Sequence, residues 1–220
     1  MASTPTYTYT PPLVVKEFAP PKSFLALGDS YTIGQSVSQA DSFPLQTIKY
    51  LNVQGLNFSA AEIIAHKGWT TANLLSSLAS APPVNPTYDI VTLLIGVNNQ
   101  YEHKTEQEYA GEFLILLNKA LQYAGNNKKR VIVLSIPDYS VTPFASGSDR
   151  AAIVKEIDTF NAINKNISEK AGVNYLDITP SSRRASNDPW LIATDGLHPS
   201  GLEYKVWAEG LVSIIKLALQ

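Results

Sequence analysis

The strongest constraint on this chain's fold is a repeated alternation. Short apolar runs, several rich in β-branched residues, lie at 24–27, 90–95 (IVTLLI), 131–136 (VIVLSI) and 173–178, with longer stretches between them that carry helical spacing. The unbroken runs read as strands buried on both faces, which is the signature of a parallel rather than an antiparallel sheet. A fifth strand falls within 57–65, where a helix fits the pattern as well. Three helices are set by their apolar stripes. The first, 106–124, places Tyr109, Phe113, Leu116, Leu117, Ala120 and Leu121 on one face. The second, 151–171, carries Ile153, Ile157, Phe160, Ile163 or Asn164, and Ile167, and the third covers 201–219. Thr105 with Glu108, and Ser200 with Glu203, have the spacing of capping boxes. Strand and helix in rotation require right-handed crossovers, so the expected fold is α/β: a mostly parallel sheet of five strands covered on both faces.

The first residues, 1–22, are rich in Thr and Pro and lack any helical period, which separates an extended lead-in from a domain over 23–220. The Ala-Ser-Thr-Pro start reads as a native leader or as a tether left after removal of an export signal; the latter implies a periplasmic or extracellular protein. Basic and acidic residues nearly balance, 17 against 19, which leaves no electrostatic footprint for nucleic acid and no polybasic patch for a membrane surface. No apolar run is long enough to span a bilayer. The absence of cysteine excludes disulfide scaffolds, thiolate metal sites and cysteine nucleophiles together.

In an open parallel sheet, ligands bind beyond the carboxyl ends of the strands, so the polar residues that follow each run carry the chemical information. Gly28-Asp29-Ser30-Tyr31 follows the first strand, Lys67-Gly68-Trp69-Thr70-Thr71 the uncertain second, and Gly96-Val97-Asn98-Asn99 the third. The loop after the last strand ends in Asp195-Gly196-Leu197-His198-Pro199-Ser200. Singly, each has an ordinary explanation: a helix cap, a turn glycine, a turn asparagine, a loop histidine. Together they place a serine, a glycine, an asparagine, and a histidine with an acid three residues upstream at one end of the sheet.

These four segments resemble, in order, the blocks of the GDSL/SGNH hydrolase family. FLALGDSYT supplies Ser30, HKGWTT supplies Gly68, LLIGVNN supplies Asn98, and DGLHPS supplies Asp195 and His198. The resemblance runs from about Phe24 to Tyr204, and the wider stretches TLLIGVNNQY, VLSIPDYSVTPFA and DITPSSRR look like a bacterial branch of lysophospholipase-like esterases. It implies a three-layer α/β/α, flavodoxin-like domain that hydrolyses small-molecule esters or thioesters without a metal or organic cofactor. It also implies an oxyanion hole made by the backbone N–H groups of Ser30 and Gly68 and the side-chain amide of Asn98.

A serine hydroxyl needs a base to take its proton as it attacks. Of three histidines, His198 suits this role best, because Asp195 can hold its far ring nitrogen. His66 lacks an acid at matching spacing, and His103 lies in the polar run EHKTEQE. Other serine-hydrolase templates fail: Thr32 stands where a nucleophile elbow needs glycine, and Ile33 where a Ser-x-x-Lys site needs lysine. Neither a G-x-G-x-x-G loop after a strand nor a Walker loop occurs. Trp69, Tyr101, Tyr139, Phe144 and Trp190 fall near strand-end loops, where they could line an acyl pocket or simply pack. Arg183 and Arg184 suit a surface or capping role, or contact with an anionic head group. The expected activity is hydrolysis of short- to medium-chain carboxylic esters. Carbohydrate O-deacetylase, lysophospholipase and thioesterase activities use the same machinery, and a binding module that has lost turnover is the reading from another class.

Overall fold

The computed structural model describes residues 20–220. Five strands, β1 (Phe24–Asp29), β2 (Glu62–His66), β3 (Ile90–Leu94), β4 (Val131–Leu134) and β5 (Asn174–Leu176), form one sheet in the order β2-β1-β3-β4-β5. Every pairing is parallel, with register partners such as Leu27 with Ile64 and Leu93, Leu93 with Val133, and Val133 with Tyr175. The order is the doubly wound flavodoxin-like one, in which the chain reverses direction between β1 and β3 and opens a crevice at their carboxyl ends.

The central strands β1, β3 and β4 are buried along their whole length, which explains why they read as continuous apolar runs. The edges read less clearly. The second strand begins at Glu62, five residues later than the expected segment, because Phe58 makes only an isolated bridge with Lys22. The Thr/Pro-rich lead-in expected over 1–22 lies, up to residue 19, outside the described residues; Lys22 itself already bonds to the backbone of Asn57 and Ser59.

The helices that close the four crossovers are α2 (Phe43–Val53), α3 (Thr71–Ser80), α5 (Glu106–Tyr123) and α6 (Arg150–Ala171), and α8 (Gly201–Ala218) follows the last strand. Short helices α1 (Ser30–Ile33), α4 (Val97–Tyr101) and α7 (Thr179–Arg183) follow β1, β3 and β5 directly. α2 packs against α8, while α3 packs on α5 and α5 on α6. Right-handed crossovers put these two groups on opposite faces of the sheet, giving three layers. α5 starts with the expected capping box: Thr105 accepts from the Glu108 N–H, and the Glu108 carboxylate accepts from the Thr105 N–H. On α6 it is Asn164, not Ile163, that is fully buried, bonded to Tyr109 and Tyr175.

One expectation needs correction, and two helices are not among those expected. Ser200 caps α8, but Glu203 does not complete a box; its buried carboxylate accepts from the Trp207 indole at 2.8 Å and pairs with Arg184 at 3.3 Å. The i,i+4 bond to a fully buried tryptophan takes precedence over the exposed turn. Helices α2 and α3 carry no clear stripe in the sequence, because α2 buries Gln46 and Thr47 among its apolar residues and α3 is rich in serine. Among the described residues, no helix is long and apolar enough to cross a membrane.

Candidate active site

The site is assembled by the segments that leave β1, β2 and β3 and by the loop before α8. Asp29, the last residue of β1, caps α1 through its Oδ1, which accepts the Tyr31 N–H at 3.0 Å. Ser30 is therefore the first residue of a helix only four residues long, held at the end of a central strand. Burial pushes the Asp29 carboxyl from an ordinary 3.8 up to about 7, against the lowering effect of its bonds to backbone N–H groups.

After β2, His66-Lys67-Gly68-Trp69 forms a turn closed by the Trp69 N–H to the His66 carbonyl. Gly68 takes φ +79° at its third position, where a type II turn demands a residue free to enter the left-handed region. After β3, Gly96 takes φ +132°, and a Cβ there would lie within 2.8 Å of Ile136 and Tyr109. Only glycine permits the sharp entry into α4 that presents Asn98. Two adjacent asparagines then tie these loops together. Asn98 donates through Nδ2 to the Trp69 carbonyl at 2.9 Å; Asn99 accepts the Thr71 N–H at 3.0 Å and donates to the Thr71 hydroxyl at 2.6 Å. The Thr71 hydroxyl donates in turn to Glu112 on α5.

The loop before α8 is pinned as a narrow hairpin. The Ala193 N–H bonds to the His198 carbonyl at 2.7 Å and the Ser200 N–H to the Leu191 carbonyl at 2.8 Å. Within it, Asp195 Oδ1 accepts the N–H groups of Leu197 and His198, both at 3.0 Å. Its Oδ2 accepts from His198 Nδ1 at 2.6 Å, and the Ser30 hydroxyl lies 2.9 Å from His198 Nε2. Ser30, His198 and Asp195, 168 residues apart in sequence at the extremes, are thus one hydrogen-bonded chain. Ser30 and His198 are buried, and the Tyr31 ring packs on the imidazole with centroids 4.9 Å apart.

The electrostatics of the chain are set by burial and by hydrogen bonds. Burial lowers the His198 pKa from 6.5; the bond to Asp195 opposes this, and Lys67 across the cleft adds to it. Burial acts to raise the Asp195 carboxyl, yet bonds from Ser36, His198 and the two backbone N–H groups hold it well below the usual carboxylate range. At neutral pH the arrangement is an ionised acid beside a neutral imidazole beside a serine hydroxyl, which can move a proton from oxygen to nitrogen.

A cleft of about 320 Å³ opens over this chain. Ser30, Asn98, Asp195 and His198 line it with Lys67, and Tyr31, Val97, Tyr101, Tyr139, Phe144 and Leu197 make most of its wall. Gly68 does not line the cleft itself but follows Lys67, which does. The description "GDSL-like Lipase/Acylhydrolase family" belongs to the sequence family that matches residues 26–206. The chain is a member of that family. The matched range includes Ser30, Gly68, Asn98, Asp195 and His198 and every residue that lines the cleft.

The GDSL-type fold is also seen in solved structures. The lipase/acylhydrolase from Enterococcus faecalis superposes with TM-score 0.68 at 18% identity, over 89% of this chain and 95% of its own. TesA gives 0.67 at 16% identity, over 90% and 99%. Axe2, an acetylxylan esterase from Geobacillus stearothermophilus, gives 0.66 at 16% identity, over 88% and 94%. No curated protein matches the chain in sequence.

Of the aromatic residues singled out in the sequence, Tyr101, Tyr139 and Phe144 form a contiguous cluster on the cleft wall, with ring centroids 5.9–6.3 Å apart. Trp69 packs on His66 instead, and Trp190, 80% exposed, lies away from the cleft. Arg183 is engaged by Asp138 at 2.8 Å and Asp158 at 2.6 Å, and Arg184 by Glu203, so both arginines serve the scaffold. Sequence reasoning missed Lys67 as a cleft residue and Ser36 altogether; Lys67 precedes Gly68 and was open to notice, whereas nothing in IGQSVS distinguishes Ser36.

Proposed function

We propose that this GDSL-family hydrolase cleaves carboxylic esters of small molecules through an acyl-enzyme on Ser30. The observation that carries the reading is the continuous chain from the Ser30 hydroxyl through both ring nitrogens of His198 to the Asp195 carboxylate. His198 takes the serine proton as Oγ attacks the ester carbonyl, and Asp195 keeps the imidazole in the tautomer whose Nε2 is free to accept. The tetrahedral intermediate collapses as His198 returns the proton to the leaving alcohol. Water then enters, loses a proton to the same nitrogen as it attacks the acyl carbonyl, and the acid leaves as His198 returns that proton to Ser30 Oγ.

The oxyanion that forms during attack needs donors fixed in advance. Asn98 spends one amide hydrogen on the Trp69 carbonyl and keeps a second for the cleft it lines; the backbone N–H groups of Ser30 and of Gly68, in the turn beside the cleft residue Lys67, are the other two donors of the proposed hole. Replacing Asn98 with alanine is therefore expected to lower kcat by about a hundredfold with little change in KM, because the donor matters chiefly as charge develops. Steady-state kinetics of Asn98→Ala check this; a rise in KM with kcat intact would remove Asn98 from that role.

An apolar acyl group suits the aromatic wall of Tyr101, Tyr139 and Phe144, bounded by Val97 and Leu197. This favours short- to medium-chain acyl esters over a bare acetyl group on a glycan. Rates on p-nitrophenyl esters from acetate to laurate test the reading, with a maximum expected above acetate. Absence of turnover across the series would overturn it.

The pH dependence follows from His198. Only the neutral ring accepts the serine proton, so kcat/KM falls on the acid side as the ring protonates. Because burial lowers its pKa, the acid limb is expected below 6.5, the ordinary imidazole value, and activity should persist into mildly acidic solution. A pH–rate profile with the limb above that value would contradict the assignment of His198 as a buried neutral base.

A further inference from the structure

We propose that Ser36 is a positioning residue for this reaction: its hydroxyl, reaching over from the nucleophile's own segment, fixes the carboxylate that orients His198. The inference rests on the serine-hydrolase reading given above. Ser36 Oγ donates to Asp195 Oδ2 at 2.6 Å, the same oxygen that accepts from His198 Nδ1. With the two backbone N–H groups on Oδ1, the carboxylate thus receives four bonds, and Ser36 supplies the only one from outside the loop of Asp195 among the described residues.

The backbone at Ser36 points the same way. It takes φ +67°, a left-handed conformation costly for any residue with a Cβ and usually given to glycine. It sits in the turn that follows α1, where Gln35 N–H still bonds to the Ser30 carbonyl and Val37 N–H to that of Gly34. Ser36 itself is exposed, between a buried Gly34 and a Val37 that packs on the core, so core packing does not demand a serine there. Strain kept at an exposed position next to a reacting group, in the rotamer that reaches the acid, is where a functional constraint is expected. The consequence is that one short segment holds both ends of the relay: it carries Ser30 at its start and bonds to Asp195 through Ser36 near its end.

Two substitutions separate this role from a structural one. Ser36→Gly relieves the left-handed backbone while removing the donor; Ser36→Asn tolerates the same backbone and restores a donor. The Asp195 side chain is 29% exposed, so a water can replace part of the bond but not its direction. Ser36→Gly is expected to lower kcat about tenfold with KM unchanged, and Ser36→Asn to recover part of that loss.

Ser36→Gly also leaves the Oδ2 charge unshared beside the imidazolium, so the acid limb of kcat/KM moves to higher pH. The other titratable groups near the ring stay as they are: Lys67 across the cleft, Tyr31 from α1, and Asp138, Tyr139 and Glu203 around the small cavity behind it. The same shift is readable without turnover, since the chain has three histidines and the ring resonance of His198 can be followed through a pH titration. An unaltered kcat together with an unmoved His198 titration in Ser36→Gly overturns the proposal. If Ser30→Ala itself kept its activity, the serine mechanism would fall instead, and that result is independent of position 36.

Discussion

Ser30→Ala is expected to reduce kcat by about four orders of magnitude or more. In the proposed mechanism the Ser30 hydroxyl is the attacking member of the hydrogen-bonded chain, and His198 without it has only water to activate. The fold should survive. The substitution removes one buried side-chain bond and no packing atom beyond the oxygen, so the change in stability is on the order of 1 kcal/mol. Thermal melting beside steady-state kinetics checks both halves. A variant that melts normally and turns over within tenfold of the parent would rule out Ser30 as nucleophile.

Asp195→Asn should have the second-largest effect, a fall in kcat of about three to four orders of magnitude near neutral pH with KM nearly constant. The reason is the tautomer rather than the charge alone. The backbone N–H groups of Leu197 and His198 hold an oxygen at Oδ1, so an asparagine there turns its NH₂ toward His198 Nδ1 and Ser36. Nδ1 must then accept, the proton moves to Nε2, and Nε2 can no longer take the hydrogen of Ser30. An Asp195→Asn enzyme with kcat near that of the parent would show that the carboxylate does not set the imidazole state.

The sequence discloses different parts of this molecule to different degrees. β1, β3 and β4 are legible because both their faces are buried, so neither solvent nor ligand interrupts the apolar run. β2 is blurred because it is an edge strand with every residue partly exposed, and its charged first residue, Glu62, reads as the middle of a loop. α2 and α3 escape notice because buried Gln46 and Thr47, and the serines of α3, break the apolar period that a stripe requires.

The residues gathered around the cleft follow the same logic. Ser30 and Asn98 stand directly behind buried strands, and Gly68 behind the edge strand, so the segment boundaries already marked them. Asp195 and His198 are three residues apart, and a loop hairpin joins them whatever the rest of the chain does. Ser36 is illegible for the opposite reason. Its contact spans 159 residues and depends on a left-handed turn that leaves no compositional trace. The division among the aromatics is likewise tertiary: Phe144, on the cleft wall beside Tyr139, has its N–H held by the Gly196 carbonyl, a bond between two loops.

The most direct test of the central claim is covalent labelling with a fluorophosphonate, followed by intact mass measurement and peptide mapping. Such a probe reacts with a serine only when a neighbouring base activates it. A single adduct on the peptide containing Ser30, absent from Ser30→Ala and formed with loss of ester hydrolysis, is the result this account predicts. An adduct on another residue with Ser30 unmodified, or equal labelling of the parent and Ser30→Ala, would contradict it.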